Sequence, residues 1–171
     1  MIINSSKISE KDMISALEIY NYYISNSLSN FEEKKLSILS FKKLYKNIRL
    51  KKLPFILAKN ETEIVGIAFV NNFRLKSGYR YTHEHSIYIN PKLINHGYGT
   101  IILSELIKLC RKNKDIKNLI AVIGGSDNLG SISIHKKNGF KYIGTLSKVG
   151  YKKNKWVDSV YMQKNYEKDK H

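Results

Sequence analysis

The chain has 171 residues, 42% of them apolar, enough for one domain with a real core and too many for a disordered segment. Its 30 Lys+Arg against 14 Asp+Glu give a formal charge of +16, and a field of that sign draws polyanions, whether nucleic acid, a membrane surface or a phosphorylated cofactor. The single Cys110 excludes an intrachain disulfide, and no basic start followed by a long apolar run marks the N-terminus as a signal peptide, so a cytoplasmic protein is expected.

The lysines are scattered along the whole length beside many Ile and Asn, which favours a solvated surface written by biased composition over a dedicated nucleic-acid face. The apolar runs, such as residues 64–70, are too short to span a bilayer. With only two prolines and no Gly/Ser-rich stretch, the chain reads as one domain over residues 1–171. Its core runs from about 2 to 164, followed by a polar tail at 165–171.

Residues 2–7 read as a short strand, and Ser9 then caps a helix carrying an apolar stripe of Ile14, Leu17, Ile19 and Tyr20. A second helix is predicted over 40–50. Pro54 ends it, and strands at 55–59 and 64–73 flank the turn Asn60-Glu61-Thr62 as a hairpin. A strand over 79–89 stops at Pro91. A loop containing Gly97 and Gly99 leads into a helix over 99–111, whose apolar side takes Cys110 into the core. A strand at 119–123 closes on Gly124-Gly125. Asn128 caps a short helix ending at Asn138, with Gly139 at the left-handed position beyond it. Strands at 141–149 and 155–163 complete the chain. The order β α α β β β α β α β β predicts an α+β domain, with one crossover helix between the fourth and fifth strands.

Two stretches carry chemistry. At the 89–102 junction a strand ends, a glycine loop turns, and a helix begins. Unsatisfied backbone N–H groups and the helix dipole favour an anion at such a start. The Gly97-x-Gly99 pair alone is compatible with a loop that merely needs flexible residues. In the second stretch, Asn128-Leu129-Gly130-Ser131 runs on to His135, and helical spacing puts the Ser131 hydroxyl and the His135 imidazole on one face.

Taken with the runs Gly78-Tyr79-Arg80-Tyr81-Thr82-His83-Glu84-His85-Ser86-Ile87-Tyr88-Ile89 and Val149-Gly150-Tyr151-Lys152…Trp156-Val157-Asp158, these stretches resemble the GNAT acetyltransferase superfamily. The resemblance is closest to the phosphinothricin N-acetyltransferase branch, which includes enzymes acting on methionine sulfoximine and sulfone. It implies a mixed, mostly antiparallel sheet of six or seven strands, flanked by four helices, with splayed central strands. It also implies acetyl-CoA as co-substrate, a small amine as acceptor, no metal and a homodimer. By this resemblance the backbone of Ile87, Tyr88 and Ile89 pairs with the pantetheine arm. The pyrophosphate lies on Asn95, His96, Gly97, Tyr98, Gly99 and Thr100, with Asn128 and Ser131 on the other side of the cofactor. The family's loop usually opens on Gln or Arg, where this chain has Ile94.

Glu84 falls at the family's catalytic glutamate and suits a general base, since a carboxylate in a cleft can take the proton of an arriving ammonium. His83 and His85 point to the opposite face of a regular strand. His135 falls where other members place a tyrosine that returns a proton to the thiolate, and either donates that proton or bonds the cofactor. Phe73, Arg74, Tyr79, Arg80 and Tyr151 are candidates to line the acceptor pocket, where an arginine fork suits a carboxylate or phosphinate. His83-x-His85 lacks the third and fourth ligands a zinc site needs. The alternatives are a different acceptor (a polyamine, an aminoglycoside or a protein N-terminus) or a basic nucleic-acid-binding domain.

Overall fold

The Ser9 side chain accepts from the Asp12 amide and starts helix α1, Glu10–Asn26. Ser37 does the same for Ser40 at the head of α2, Ile38–Leu50. In each case a hydroxyl satisfies one of the N–H groups that a helix start leaves without a partner. These details come from a computed structural model that describes residues 2–4 and 8–166. The expected first strand survives as β1, Ile2–Asn4, while residues 5–7 lie outside the described residues.

The remaining elements are β2 (Phe55–Lys59), β3 (Ile64–Asn72), β4 (Thr82–Ile89), α3 (Tyr98–Lys112), β5 (Asn118–Gly124), α4 (Leu129–Lys137), β6 (Lys141–Lys152) and β7 (Lys155–Asn165). The strands form one sheet in the order β1-β2-β3-β4-β5-β7-β6. Every neighbouring pair is antiparallel except β4 and β5, which run parallel on either side of the α3 crossover, as expected.

Alternation along β4 sends its side chains to two different layers. Tyr88 meets Tyr20 of α1 edge-on at 5.1 Å, and Tyr20 in turn contacts Phe41 of α2 and Phe69 of β3. Helices α1 and α2 therefore cover the face bearing Glu84, Ser86 and Tyr88. On the other face, a Cβ added at Gly99 would sit 3.3 Å from Ile134 and 3.8 Å from Ile89, which places α3 and α4 over Ile89, Ile87 and His85. The core is filled from both layers, with Phe41, Phe55, Ile67, Ile102, Leu103, Leu106 and Cys110 all buried.

Two boundaries differ from the sequence reading. Residues 79–81 do not join β4: Ser77–Tyr79 form a 3-10 turn in which the Tyr79 and Arg80 amides bond back to Lys76 and Ser77. Those local bonds use the donors a strand would have offered to its neighbour. At the far end, β6 continues through Gly150 to Lys152, with its register against β7 broken between Leu146 and Gly150.

Candidate active site

The parallel ladder between β4 and β5 is short. Thr82, His83, Glu84 and His85 pair with Asn118, Leu119, Ile120 and Ala121, and pairing then stops. Beyond that point β4 stays bonded to β3 and β5 to β7, so the two central strands part. The gap opens into a cleft of about 710 Å³ whose walls include Glu84 to Ile89, Ala121 to Gly124 and the loop from Leu93 to Thr100.

The Asn90 amide donates to Val65 of β3, so by alternation the N–H and C=O groups of Ile87 and Ile89 face the open side. The Tyr23 hydroxyl donates to the Ile89 carbonyl at 2.8 Å, leaving that oxygen one of its two lone pairs. The wall of the cleft here is an unpaired strand edge, ready to take an extended ligand as an added strand.

At the mouth, α3 begins with Gly97 at φ 77°, and no side chain caps its first amides. Asn95 also sits at positive φ, 66°, so the loop turns sharply just before the helix starts. A Cβ at Gly97 would meet nothing within 4 Å, so this glycine is required by its backbone conformation. Gly99 serves a different end, since a Cβ there would press on Ile134 of α4. Of the predicted loop residues, Asn95, Gly97, Tyr98, Gly99 and Thr100 line the cleft. His96 does not: its Nδ1 donates to the Ile94 carbonyl at 2.8 Å, which folds the ring back onto its own loop.

Glu84 lines the cleft from the α1/α2 face. Burial pushes its carboxyl above the usual carboxylate range, and the Arg74 charge pulls it back in part. Asn128 and Ser131 border the opposite wall. The Asn128 side chain is spent on the start of α4, accepting from the Ser131 amide at 3.3 Å and donating to the Gly124 carbonyl at 3.5 Å. His135 is buried; its Nδ1 lies 2.7 Å from the Ser131 carbonyl, and its Nε2 lies 2.9 Å from Nε2 of His85.

Phe73, Arg74, Tyr79, Arg80 and Tyr151 are not brought into the cleft wall. The first four lie on the partly exposed 73–81 loop, where Arg74 stacks on Phe73 and Arg80 on Tyr81. Tyr151 is exposed on β6 against Trp156. That wall is instead supplied by Tyr20 and Tyr23 of α1 and by Ser29, Asn30, Phe31 and Glu32 of the α1–α2 loop. The Tyr20-x-x-Tyr23 spacing on one helical face was the available signal. His85, whose Nε2 meets that of His135, also lines the cleft and was not among the candidates.

The Val149 to Asp158 run supports this wall from behind. Lys152, buried, donates its Nζ to the Asn30 carbonyl at 2.5 Å. Gly150 leaves the space that Phe31 fills, since a Cβ there would stand 2.2 Å from the ring. The Asp158 carboxylate accepts from the Lys148 amide and the Ser126 hydroxyl, tying β6 to the β5–α4 loop.

The pattern of the acetyltransferase (GNAT) domain family matches residues 6–161. The chain belongs to the GNAT acetyltransferases. A phosphinothricin N-acetyltransferase of Alcaligenes faecalis is 31% identical over 157 residues, 92% of this chain and 79% of that protein. An L-methionine sulfoximine/L-methionine sulfone acetyltransferase of Salmonella typhimurium is 28% identical over 152 residues, 89% of this chain and 88% of its own length. The crystal structure of a GNAT phosphinothricin acetyltransferase from Sinorhizobium meliloti, in complex with acetyl-CoA, superposes with a TM-score of 0.88 at 29% identity, covering 96% of this chain and 87% of that one. Among the described residues of this GNAT chain, no group of three or more His, Cys, Asp or Glu could hold a metal ion, and no helix is long and apolar enough to cross a membrane.

Proposed function

We propose that this chain is an acetyl-CoA-dependent N-acetyltransferase acting on the primary amine of a small, amino-acid-like acceptor of the phosphinothricin or methionine sulfoximine and sulfone kind. The observation that carries this reading is the split of β4 from β5, which leaves a strand edge at Ile87 and Ile89, an uncapped α3 start and a half-buried carboxylate around one cleft. The residues fit acetyl-CoA in three ways. The edge groups of Ile87 and Ile89 match the amides of a pantetheine arm. The backbone N–H groups from Asn95 to Thr100 suit a pyrophosphate. Ser131 and Asn128 border the wall opposite. The thioester supplies the activated acetyl group.

Glu84 takes the proton of the substrate ammonium, directly or through a water, and its raised pKa brings it nearer the value an efficient base needs at neutral pH. Arg74, whose charge reaches Glu84 from the partly exposed 73–81 loop, favours an acceptor carrying its own carboxylate or phosphinate. A second copy of the chain is supported by exposed Tyr142, Ile143, Leu146 and Trp156 on β6 and β7. The test offers acetyl-CoA with phosphinothricin, methionine sulfoximine, methionine sulfone, a polyamine, an aminoglycoside and a peptide, and follows thiol release. Turnover is expected with the first three. No turnover with any amine, together with no calorimetric binding of acetyl-CoA, overturns the reading.

A further inference from the structure

The buried histidines on the α4 side of the cleft make more contacts than two neutral imidazoles have protons to supply. His85 Nδ1 lies 3.0 Å from the Ile120 carbonyl, and His135 Nδ1 lies 2.7 Å from the Ser131 carbonyl. A carbonyl oxygen only accepts, so each of these nitrogens carries a hydrogen. The two Nε2 atoms face each other at 2.9 Å, a hydrogen bond only if a proton lies between them. The geometry therefore asks for three N–H groups on two rings, one more than a neutral pair owns.

Little else nearby bears charge. The Phe140 ring packs 5.3 Å from the His85 ring and 5.1 Å from the His135 ring. β5 offers the Ile120 carbonyl, and α4 offers the Ser131 carbonyl and hydroxyl. Along β4, His83 shares the face of His85 and Glu84 points the other way. Among the described residues, no carboxylate, ammonium or guanidinium bonds either ring, and the charge acting on His85 is that of His135. All four ring nitrogens are engaged, so neither ring aims a free N–H at the cleft. Ser131 does reach it: the residue lines the cleft, and its Oγ is 3.5 Å from His135 Nδ1.

We infer that His85, His135 and Ser131 form a proton relay that holds one proton and delivers it through the Ser131 hydroxyl to the thiolate left by acetyl transfer; this rests on the function proposed above. The proton balance closes. The Nδ1–H bond of His135 breaks and its proton goes to Ser131 Oγ, while the hydroxyl's own hydrogen passes to sulfur and forms the S–H bond. His135 then keeps its Nε2–H, which donates to His85 Nε2, and His85 keeps its Nδ1–H on Ile120. The bare His135 Nδ1 then accepts from the new Ser131 hydroxyl but faces the Ser131 carbonyl as one acceptor against another, which drives the pair to regain its proton from solvent as product leaves. Burial works against the third proton, since desolvation pushes both imidazoles below their ordinary value, His85 to about 3 with the His135 charge adding to the effect; the three hydrogen bonds are what hold it, and the pair gives it up readily. His135 and Ser131 gate the proton, and His85 is a positioning residue that fixes the tautomer of His135.

The chain contains only 5 histidines, so imidazole nitrogen NMR on the 15N-histidine-labelled enzyme can resolve the pair. Three N–H groups are expected across the two rings at low pH, with one lost as pH rises, in a step that belongs to the pair. Two N–H groups at every pH, or two independent titrations, overturn the relay. In kinetics, His85→Gln and Ser131→Ala should each lower kcat about 10²-fold, the low end for lost general acid catalysis. The KM for acetyl-CoA should stay where it was in His85→Gln, and the double variant should be no slower than either single one. Wild-type kcat should fall as the pair deprotonates, and that alkaline loss should vanish in His85→Gln. An unchanged pH profile there means a structural histidine and sinks the inference. The NMR arm needs no acceptor, so a chain that acetylates nothing yet shows the shared proton refutes the proposed function and not the pair.

Discussion

Replacing Gly150 by alanine tests whether the β6–β7 hairpin sets the acceptor wall. The added Cβ would stand 2.2 Å from one ring carbon of Phe31 and 2.8 Å from two others. Ordinary contact begins at 3.4 Å, so the ring must retreat by about 1.2 Å. The loop backbone cannot simply slide away, because Lys152 of the same hairpin holds the Asn30 carbonyl. The ring must therefore turn toward the cleft, which Phe31 lines and toward which its 37% exposure leaves room. Overpacking of this kind costs about 1–3 kcal/mol, and a partly exposed ring belongs at the lower end. In a chain of this size, 1 kcal/mol moves Tm by about 2–4 °C. The assay is a thermal melt together with separate KM values for acceptor and acetyl-CoA. The expected result is a fall in Tm of a few degrees and a raised KM for the acceptor alone. An unmoved acceptor KM would show that Phe31 does not shape acceptor binding.

Glu84→Gln should lower kcat by about 10²–10⁴-fold, the range for general base catalysis, while calorimetry finds acetyl-CoA affinity unchanged; unaltered turnover would remove Glu84 from its role. Because burial raises the folded-state pKa of Glu84, its contribution to stability is fully present below the unfolded pKa and is lost as pH rises through the folded value. Glu84→Gln should thus melt higher than wild type at pH 7 and lose that advantage in acid, which melts across pH 4–8 would show. Gly97→Ala meets no atom but must hold φ 77°, so it should cost about 1–2 kcal/mol and weaken acetyl-CoA binding by displacing the loop amides; full affinity would separate the loop from the cofactor. Gly124→Ala would drive a Cβ to 2.6 Å from the Leu28 carbonyl, where only backbone can yield, and should lose more Tm than Gly97→Ala in the same melts.

Most of the fold could be read from the sequence, because its cues are local. Ser9, Asn128 and Gly139 each end or begin an element through one side chain or one dihedral angle and act there in the structure, whereas α2 stops at Leu50 with Lys52 at φ 56°, ahead of Pro54. The geometry of the cleft was legible where it depends on backbone alone: the Gly97 loop and the open Ile87–Ile89 edge need only a strand, a turn and a helix in order. The α1–α2 loop side of the cleft was not. Asn30 and Phe31 sit in a polar loop with no periodic pattern, and they reach the cleft because Lys152 and Gly150, more than a hundred residues later, hold them there. Arg74 and Arg80 looked like wall residues because they precede Glu84 in sequence, yet the 3-10 turn at Ser77–Tyr79 carries that segment out to the surface.

His85 was missed for a different reason. Its neighbour Glu84 drew the chemistry, and a histidine on the inward face of a strand is read as packing. In a sheet with continuous pairing that reading would be sound, because a strand's two faces are separated by hydrogen-bonded backbone. Here the pairing between β4 and β5 ends at His85 and Ala121, so groups on opposite faces of β4 look into one opening. Glu84 enters it from the α1/α2 layer, and His85 with His135 from the α3/α4 layer. On the proposed function, Glu84 as base and the histidine pair as acid would flank the reacting bond from opposite faces without neutralising each other directly. The consequence is testable by closing the gap. A substitution that restores pairing past Ala121 would separate the two faces again, and it should abolish turnover while raising the melting temperature.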